Sequence, residues 1–141
     1  MDCFSHDQRS RIMSCVHSRD TTPEMVVRSF LHRHGLRFRL HAKNLPGHPD
    51  IVLPKYKTIV EVRGCFWHRH PGCKLTTTPA THTKFWKTKF ERNVERDRNN
   101  ILALQELGWQ VIVVWECETR KKLFPPQALR DFVTANRPGK V

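Results

Sequence analysis

The stretch PDIVLPKYKTIVEVRGCFWHRHPGC, Pro49 to Cys73, carries the organisation of the chain. Asp50 to Leu53 and Thr58 to Arg63 are short runs rich in β-branched residues, and Pro-Lys-Tyr-Lys at 54–57 has the composition of a tight connection. The pattern predicts an antiparallel hairpin that brings Asp50, at the start of one strand, beside the end of the other. Strand alternation sets Glu61 and Arg63 on one face, with Val62 between them. The strand then runs into a loop that holds two Cys, two His, a Gly and the pair Phe66-Trp67 before Cys73. A packing core does not require that mixture.

Working outward, residues 1–20 are polar, with Ile12, Met13 and Val16 at the spacing of a short helix. A second helix is expected from Thr22 as cap, with Pro23 in its first turn, Glu24 at the positive dipole end, an apolar stripe of Val27, Phe30 and Leu31, and Gly35 as its stop. Leu36 to His41 alternates apolar and basic, which predicts a half-buried strand with Arg37 and Arg39 on its open face. Lys43 to Pro49 reads as a loop. Downstream, 74–82 is irregular and a long helix is predicted over 83–107, ended by Gly108, with Phe90, Val94, Asp97, Ile101 and Leu104 facing inward. Trp109 to Trp115 is a near-continuous apolar run, expected as a strand covered on both faces, and it delivers Glu116-Cys117. Pro126 can start a last helix to about Ala135.

The expected class is α/β: helices flanking a mixed β-sheet in the order α, β, β, β, α, β, α, as in a restriction-endonuclease-like core, with a structural zinc site. Residues 21–136 read as one domain, with 1–20 an N-terminal segment and 137–141 a tail. Lys and Arg number 25 against 13 Asp and Glu, a formal charge of +12, and they are spread along the 141 residues. That surplus points to a folded face for a polyanion, nucleic acid above all. No apolar run approaches the ~20 residues of a membrane span and the first residues lack the apolar centre of a secretory signal, so no membrane association and a cytoplasmic location are expected. Five Cys with no secretory signal favour metal ligation or free thiols over disulfides.

Three constellations carry chemistry. Asp50, Glu61 and Arg63 match the two acids and a cation of a Mg²⁺-dependent phosphodiesterase: the acids hold a hard ion through oxygen, and the ion polarises phosphate and activates water. Asp50, Glu61 and Val62 are assigned to magnesium. Arg63 stands where the general PD-(D/E)xK pattern has Lys and serves as a charge clamp, since it does not deprotonate; a structural ion pair between strands is the competing reading. Cys65, His70, Cys73 and the distant Cys117 form a closed four-ligand set suited to structural Zn²⁺. His68, not needed for that set, is free to act as a general base, with Asp97 as the partner of its other ring nitrogen; a phosphate contact for His68 and an ion pair for Asp97 are the alternatives. Phe66, Trp67 and Trp86 are candidates for stacking on bases, with helix packing equally open for Trp86.

The strings GCFWHRHPGC, TKFW and NVERDRNNILALQELGWQVIVVWEC resemble the very short patch repair (Vsr) mismatch endonucleases of bacteria, from about Ser10 to Arg120. The resemblance implies a restriction-endonuclease-like fold with a structural zinc. It implies Mg²⁺-dependent nicking on the 5′ side of the T in a T:G mismatch left by 5-methylcytosine deamination. It implies that Asp50 binds the catalytic metal, that His68 backed by Asp97 positions or deprotonates water, and that Glu24 is an acid near the site. Phe66, Trp67 and Trp86 would intercalate, with Met13 of a DNA-contacting N-terminal segment entering from the opposite groove. The expected partners are duplex DNA with a T:G mismatch and, functionally, a cytosine-5 DNA methyltransferase; a monomer, associated with the bacterial nucleoid when bound, suits a single nick. Two positions depart from the family pattern: Arg63 replaces a common His, and Glu61 stands where members are commonly apolar. Restriction or nicking at a matched site, or zinc-stabilised DNA binding without catalysis, are the alternative functions.

Overall fold

The computed structural model describes residues 21–120 and 124–136. The helix expected within 1–20, with Met13, and the tail 137–141 lie outside the described residues. Helix α1 (Thr22–Arg33) is followed by β1 (Arg39–Leu40), β2 (Ile51–Leu53), a 3₁₀ turn (Pro54–Tyr56), β3 (Thr58–Arg63), the one-turn α2 (Cys65–His68), α3 (Thr83–Glu106), β4 (Gln110–Trp115), the one-turn α4 (Glu116–Thr119) and α5 (Gln127–Asn136). The four strands form one mixed sheet in the order β1-β2-β3-β4. The first three are antiparallel neighbours, and β3 and β4 run parallel over six paired positions, Thr58↔Gln110 to Arg63↔Trp115.

Period-two alternation builds both layers from the same strands. Ile51, Leu53 and Val60 face Val27 and Leu31 of α1 and Leu129, Phe132 and Val133 of α5, joined by Ile112 and Val114 of β4. Val52 and Ile59 face the other way, onto Leu104 of α3, with Trp109 and Val111 half-buried beside them. By the same parity Glu61, Arg63 and Trp115 stand on the α3 face, at the end of the sheet where β3 and β4 terminate. That end is where open α/β sheets with parallel strands place ligands.

Several expectations are corrected. The cap of α1 is Thr21, not Thr22: its Oγ1 accepts from the Glu24 N–H at 3.4 Å, the three-residue reach of an N-cap. The strand predicted over 36–41 shortens to two exposed residues, because β1 is a sheet edge with only the three-residue β2 to pair with. On α3 the inward stripe is Phe90, Asn93, Asp97 and Leu104, while Val94 is 41% exposed; the helix covers only part of the sheet, so its face is set by the loop after β3 as much as by apolar periodicity. Strand β4 alternates buried and half-buried residues, with the 112/114 side sealed and the α3 side partly open. The predicted hairpin and the ending of α3 before Gly108, at φ 90°, are as expected.

Candidate active site and metal centre

Asp50 precedes β2, and its Oδ2 accepts the Val62 N–H at 3.4 Å, so the hairpin does set this carboxylate against the end of β3. Its company differs from the expected pair of acids. Glu24, reaching from the first turn of α1 and almost wholly buried, and His41, from the end of β1, converge on it, and ligand atoms of the three lie within 4.8 Å of one another. The Arg28 guanidinium donates to Glu24 Oε2 at 2.6 Å and lies 3.1 Å from His41 Nε2. Glu61 is not in this trio; its Oε2 is held by Arg63 Nη2 at 2.9 Å. Burial, the Glu24 carboxylate and, more weakly, Glu61 push the Asp50 carboxyl up to about 6, against the Val62 N–H and His41. Two carboxylates and an imidazole brought together at such a cost are a donor set that fits a divalent ion.

His68 ends α2, and its Nδ1 meets Asp97 Oδ2 at 2.6 Å, joining the loop to α3. Both line a groove of about 370 Å³ together with Arg63, Arg69, Arg98 and Trp115, over the apolar residues Val94, Ile101 and Leu102. Arg63 therefore links two places: it binds Glu61 next to Asp50 and borders the groove that holds His68.

Cys65, His70, Cys73 and Cys117 come together with their ligand atoms within 4.8 Å of one another, and none of the three cysteines is in a disulfide. His70 Nδ1 lies 3.7 Å from Cys65 Sγ and 3.4 Å from Cys117 Sγ. Zinc–ligand bonds of ~2.0–2.3 Å in a tetrahedron put donors ~3.5–3.8 Å apart, so these two spacings are compatible with a closed four-ligand metal site. Burial pushes the Cys65 thiol up to about 12 and Cys117 in the same direction, whereas the Leu75 N–H draws Cys73 down to about 7. Buried thiols that resist ionisation are stabilised as thiolates by a cation at their centre.

The residues around the cluster are built to hold it. Trp115 stacks on His70 at 4.2 Å and 10°. Thr76 Oγ1 donates to the carbonyls of His70 and Cys65, and Glu116 Oε1 accepts the Cys65 N–H. Within the loop expected after β3, Cys65–His68 form a single helical turn, capped by Arg69 in the left-handed conformation. Arg69 donates to the carbonyls of Phe66 and Thr77 and to Thr78 Oγ1, and its guanidinium lies 3.9 Å from the centre of the Phe90 ring.

Phe66 and Trp67, candidates for stacking on bases, do not stand free. Both are half-buried in an aromatic cluster, with Phe66 edge-on to Trp67 (5.0 Å), Trp86 (5.9 Å) and Phe90 (5.2 Å), and Trp86 stacked on Phe90. Asn93 Nδ2 donates to the Trp67 carbonyl. Sequence reading gave no role to His41, Asn93 or Arg69. The first was within reach: extending the β1–β2 register by one residue sets His41 opposite Asp50.

The profile of the family DNA mismatch endonuclease Vsr matches residues 1–75. The chain is 48% identical to the DNA mismatch endonuclease Vsr of Escherichia coli over 82% of its own length and 74% of that protein. It is 44% identical to the type II nicking enzyme V.NmeAIP of Neisseria meningitidis, over 94% of each. With the type II nicking enzyme V.XorIIP of Xanthomonas oryzae it shares 47% identity over 83% of its length and 85% of that protein.

A carboxyl raised from 3.8 to about 6 in the fold favours the native state fully below pH 4 and withdraws that contribution as pH rises through 6. Asp50→Asn is therefore expected to raise the unfolding free energy of protein free of added Mg²⁺ at pH 8 by about 1–3 kcal/mol, with no gain at pH 4. Denaturant titration at the two pH values checks this; destabilisation at both would show that the Val62 hydrogen bond outweighs the buried charge.

Proposed function

Because this chain belongs to the DNA mismatch endonuclease Vsr family, we propose that it is a DNA endonuclease that nicks one strand by Mg²⁺-dependent hydrolysis, 5′ of the T in a T:G mismatch arising from 5-methylcytosine deamination. The observation that carries the reading is the placing of two devices at one end of the sheet: a carboxylate cluster around Asp50 and an imidazole backed by a carboxylate, His68–Asp97.

Asp50 and Glu24 are the oxygen donors for Mg²⁺, with Val62 at the backbone beside them and Glu61 adding negative charge from the end of β3. Bound there, the ion supplies Lewis-acid polarisation of the phosphate and a water of lowered pKa. Asp97 accepts from the Nδ1–H of His68, which leaves Nε2 with a lone pair to take the proton of the attacking water. Arg63, between Glu61 and the groove, clamps the phosphate as charge grows on it, a role its permanent charge allows. Zn²⁺ in the Cys65, His70, Cys73 and Cys117 set is structural, because four protein ligands leave no open position. Phe66, Trp67 and Trp86 pack against one another as one aromatic cluster, suited to entering a weakened base step beside the mismatch. Met13 would enter from the opposite groove. The charge of +12, with Arg37 and Arg39 exposed, favours the DNA backbone and makes affinity fall with salt.

A cytoplasmic monomer, associated with the bacterial nucleoid when on DNA and working alongside a cytosine-5 methyltransferase, completes this reading; no helix among the described residues is long and apolar enough to cross a membrane. The names of two relatives, type II nicking enzymes, state nicking without a mismatch, and the second reading is a nick at a matched recognition sequence.

Single-turnover nicking of T:G and matched duplexes separates these readings. Expected is Mg²⁺-dependent cutting of the T:G strand, lost with chelator and reduced at least 10³-fold in Asp50→Ala, a magnitude typical of removing a group that acts on the reacting charge. Glu61→Gln should need more Mg²⁺ for the same rate. Equal cutting of the matched duplex would favour the second reading, and no cutting of either would exclude catalysis. Elemental analysis should find about one zinc per chain, falling towards none in Cys65→Ser/Cys117→Ser; a chain isolated without zinc would remove that assignment.

A further inference from the structure

We propose that His41 is a direct ligand, through Nε2, of the divalent cation held by Asp50 and Glu24, and that it tilts the site towards Mn²⁺ over Mg²⁺. This rests on the reading of those two carboxylates as the catalytic metal ligands.

The backbone fixes His41 beside Asp50. The register Arg39↔Val52, Leu40↔Ile51 continues one step beyond β1, with the His41 N–H donating to the Asp50 carbonyl at 3.0 Å and the Ala42 N–H to Pro49 at 3.1 Å. His41 leaves the strand in the left-handed region, φ 51°, which a residue with a side chain adopts only at a cost. The turn carries its ring into the cluster, where Nε2 lies 3.9 Å from Glu24 Oε2 and 3.1 Å from Arg28 Nη2.

A guanidinium only donates, so the nitrogen facing Arg28 presents a lone pair and the ring proton sits on Nδ1. That is the tautomer a metal requires. Arg28 takes that lone pair here and also donates to Glu24 Oε2 at 2.6 Å, so a metal ion bound by His41 and Glu24 displaces the guanidinium from Nε2. Two carboxylates and one imidazole whose ligand atoms lie within 4.8 Å form a mixed oxygen and nitrogen set. Mg²⁺ favours oxygen alone, whereas first-row transition ions gain from imidazole nitrogen.

The test uses the full-length, zinc-loaded protein without DNA, titrated with Mn²⁺ or Mg²⁺ by calorimetry, with pulsed electron paramagnetic resonance of the Mn²⁺ complex. The wild type and His68→Gln are expected to show coupling to a directly bound ¹⁴N. His41→Gln should lose it and bind Mn²⁺ on the order of tenfold more weakly, with Mg²⁺ affinity less changed. His41→Glu should recover affinity without the coupling, which excludes misfolding as the cause. Mn²⁺ binding that Asp50→Asn abolishes but that lacks ¹⁴N coupling, or keeps it in His41→Gln, would overturn the proposal and leave the carboxylate reading standing. Mn²⁺ binding insensitive to Asp50→Asn would overturn both.

Discussion

The meeting of Cys65, His70 and Cys73 with Cys117 is the constraint on which the working half of the structure depends. Between the ends of β3 and α3 the chain runs through residues 64–82 with Cys65 as its only fully sealed residue, far too little apolar burial to fix a loop of that length. Tying it to the end of β4 replaces that missing core. Once the tie is made, the Trp115–His70 stack, the Thr76 hydroxyl and the Arg69 guanidinium add local restraints, each of which needs the loop already in place. The aromatic cluster and the His68–Asp97 pair then sit on a platform held from below.

The carboxylate side works by the opposite principle. Asp50 and Glu24 are set by regular structure, a hairpin and a helix start, and are forced together at a cost that appears in the raised Asp50 carboxyl. Arg28 offsets part of the charge through Glu24. Regular elements tolerate such strain because their positions are fixed by the cores on either side of the sheet. The raised Asp50 carboxyl marks stability given up at this cluster, a cost that a bound cation would offset.

Much of this was legible in the sequence because it is local. The β-branched runs and the short turn specified the hairpin, and hence the position of Asp50; the Cys and His spacing specified the metal cluster. What escaped has a common cause, since it depends on which elements meet. Glu61 was the acid nearest Asp50 along the hairpin, yet Glu24, from another element, joins Asp50 and His41 while Glu61 turns to Arg63. Val94 fitted an apolar stripe, but the backbone of Trp67 gives a partner to Asn93 instead. The packing of Phe66 on Trp86 and Phe90, and of Trp67 on Trp86, was not legible because those partners lie in a helix about twenty residues on. The shortening of β1 follows from sheet order, which residue patterns do not encode.

The central claim is that the Cys–His cluster serves catalysis through the position of His68. A double-mutant cycle of Cys117→Ser and His68→Ala, read by single-turnover nicking of a T:G duplex, tests it directly, with Mn²⁺ binding as the check that the carboxylate cluster is intact. Each single change is expected to slow nicking by roughly 10²–10⁴-fold, the range for loss of a general base, and the double variant to be little slower than either. Fully multiplicative losses, or wild-type nicking by Cys117→Ser, would contradict the account.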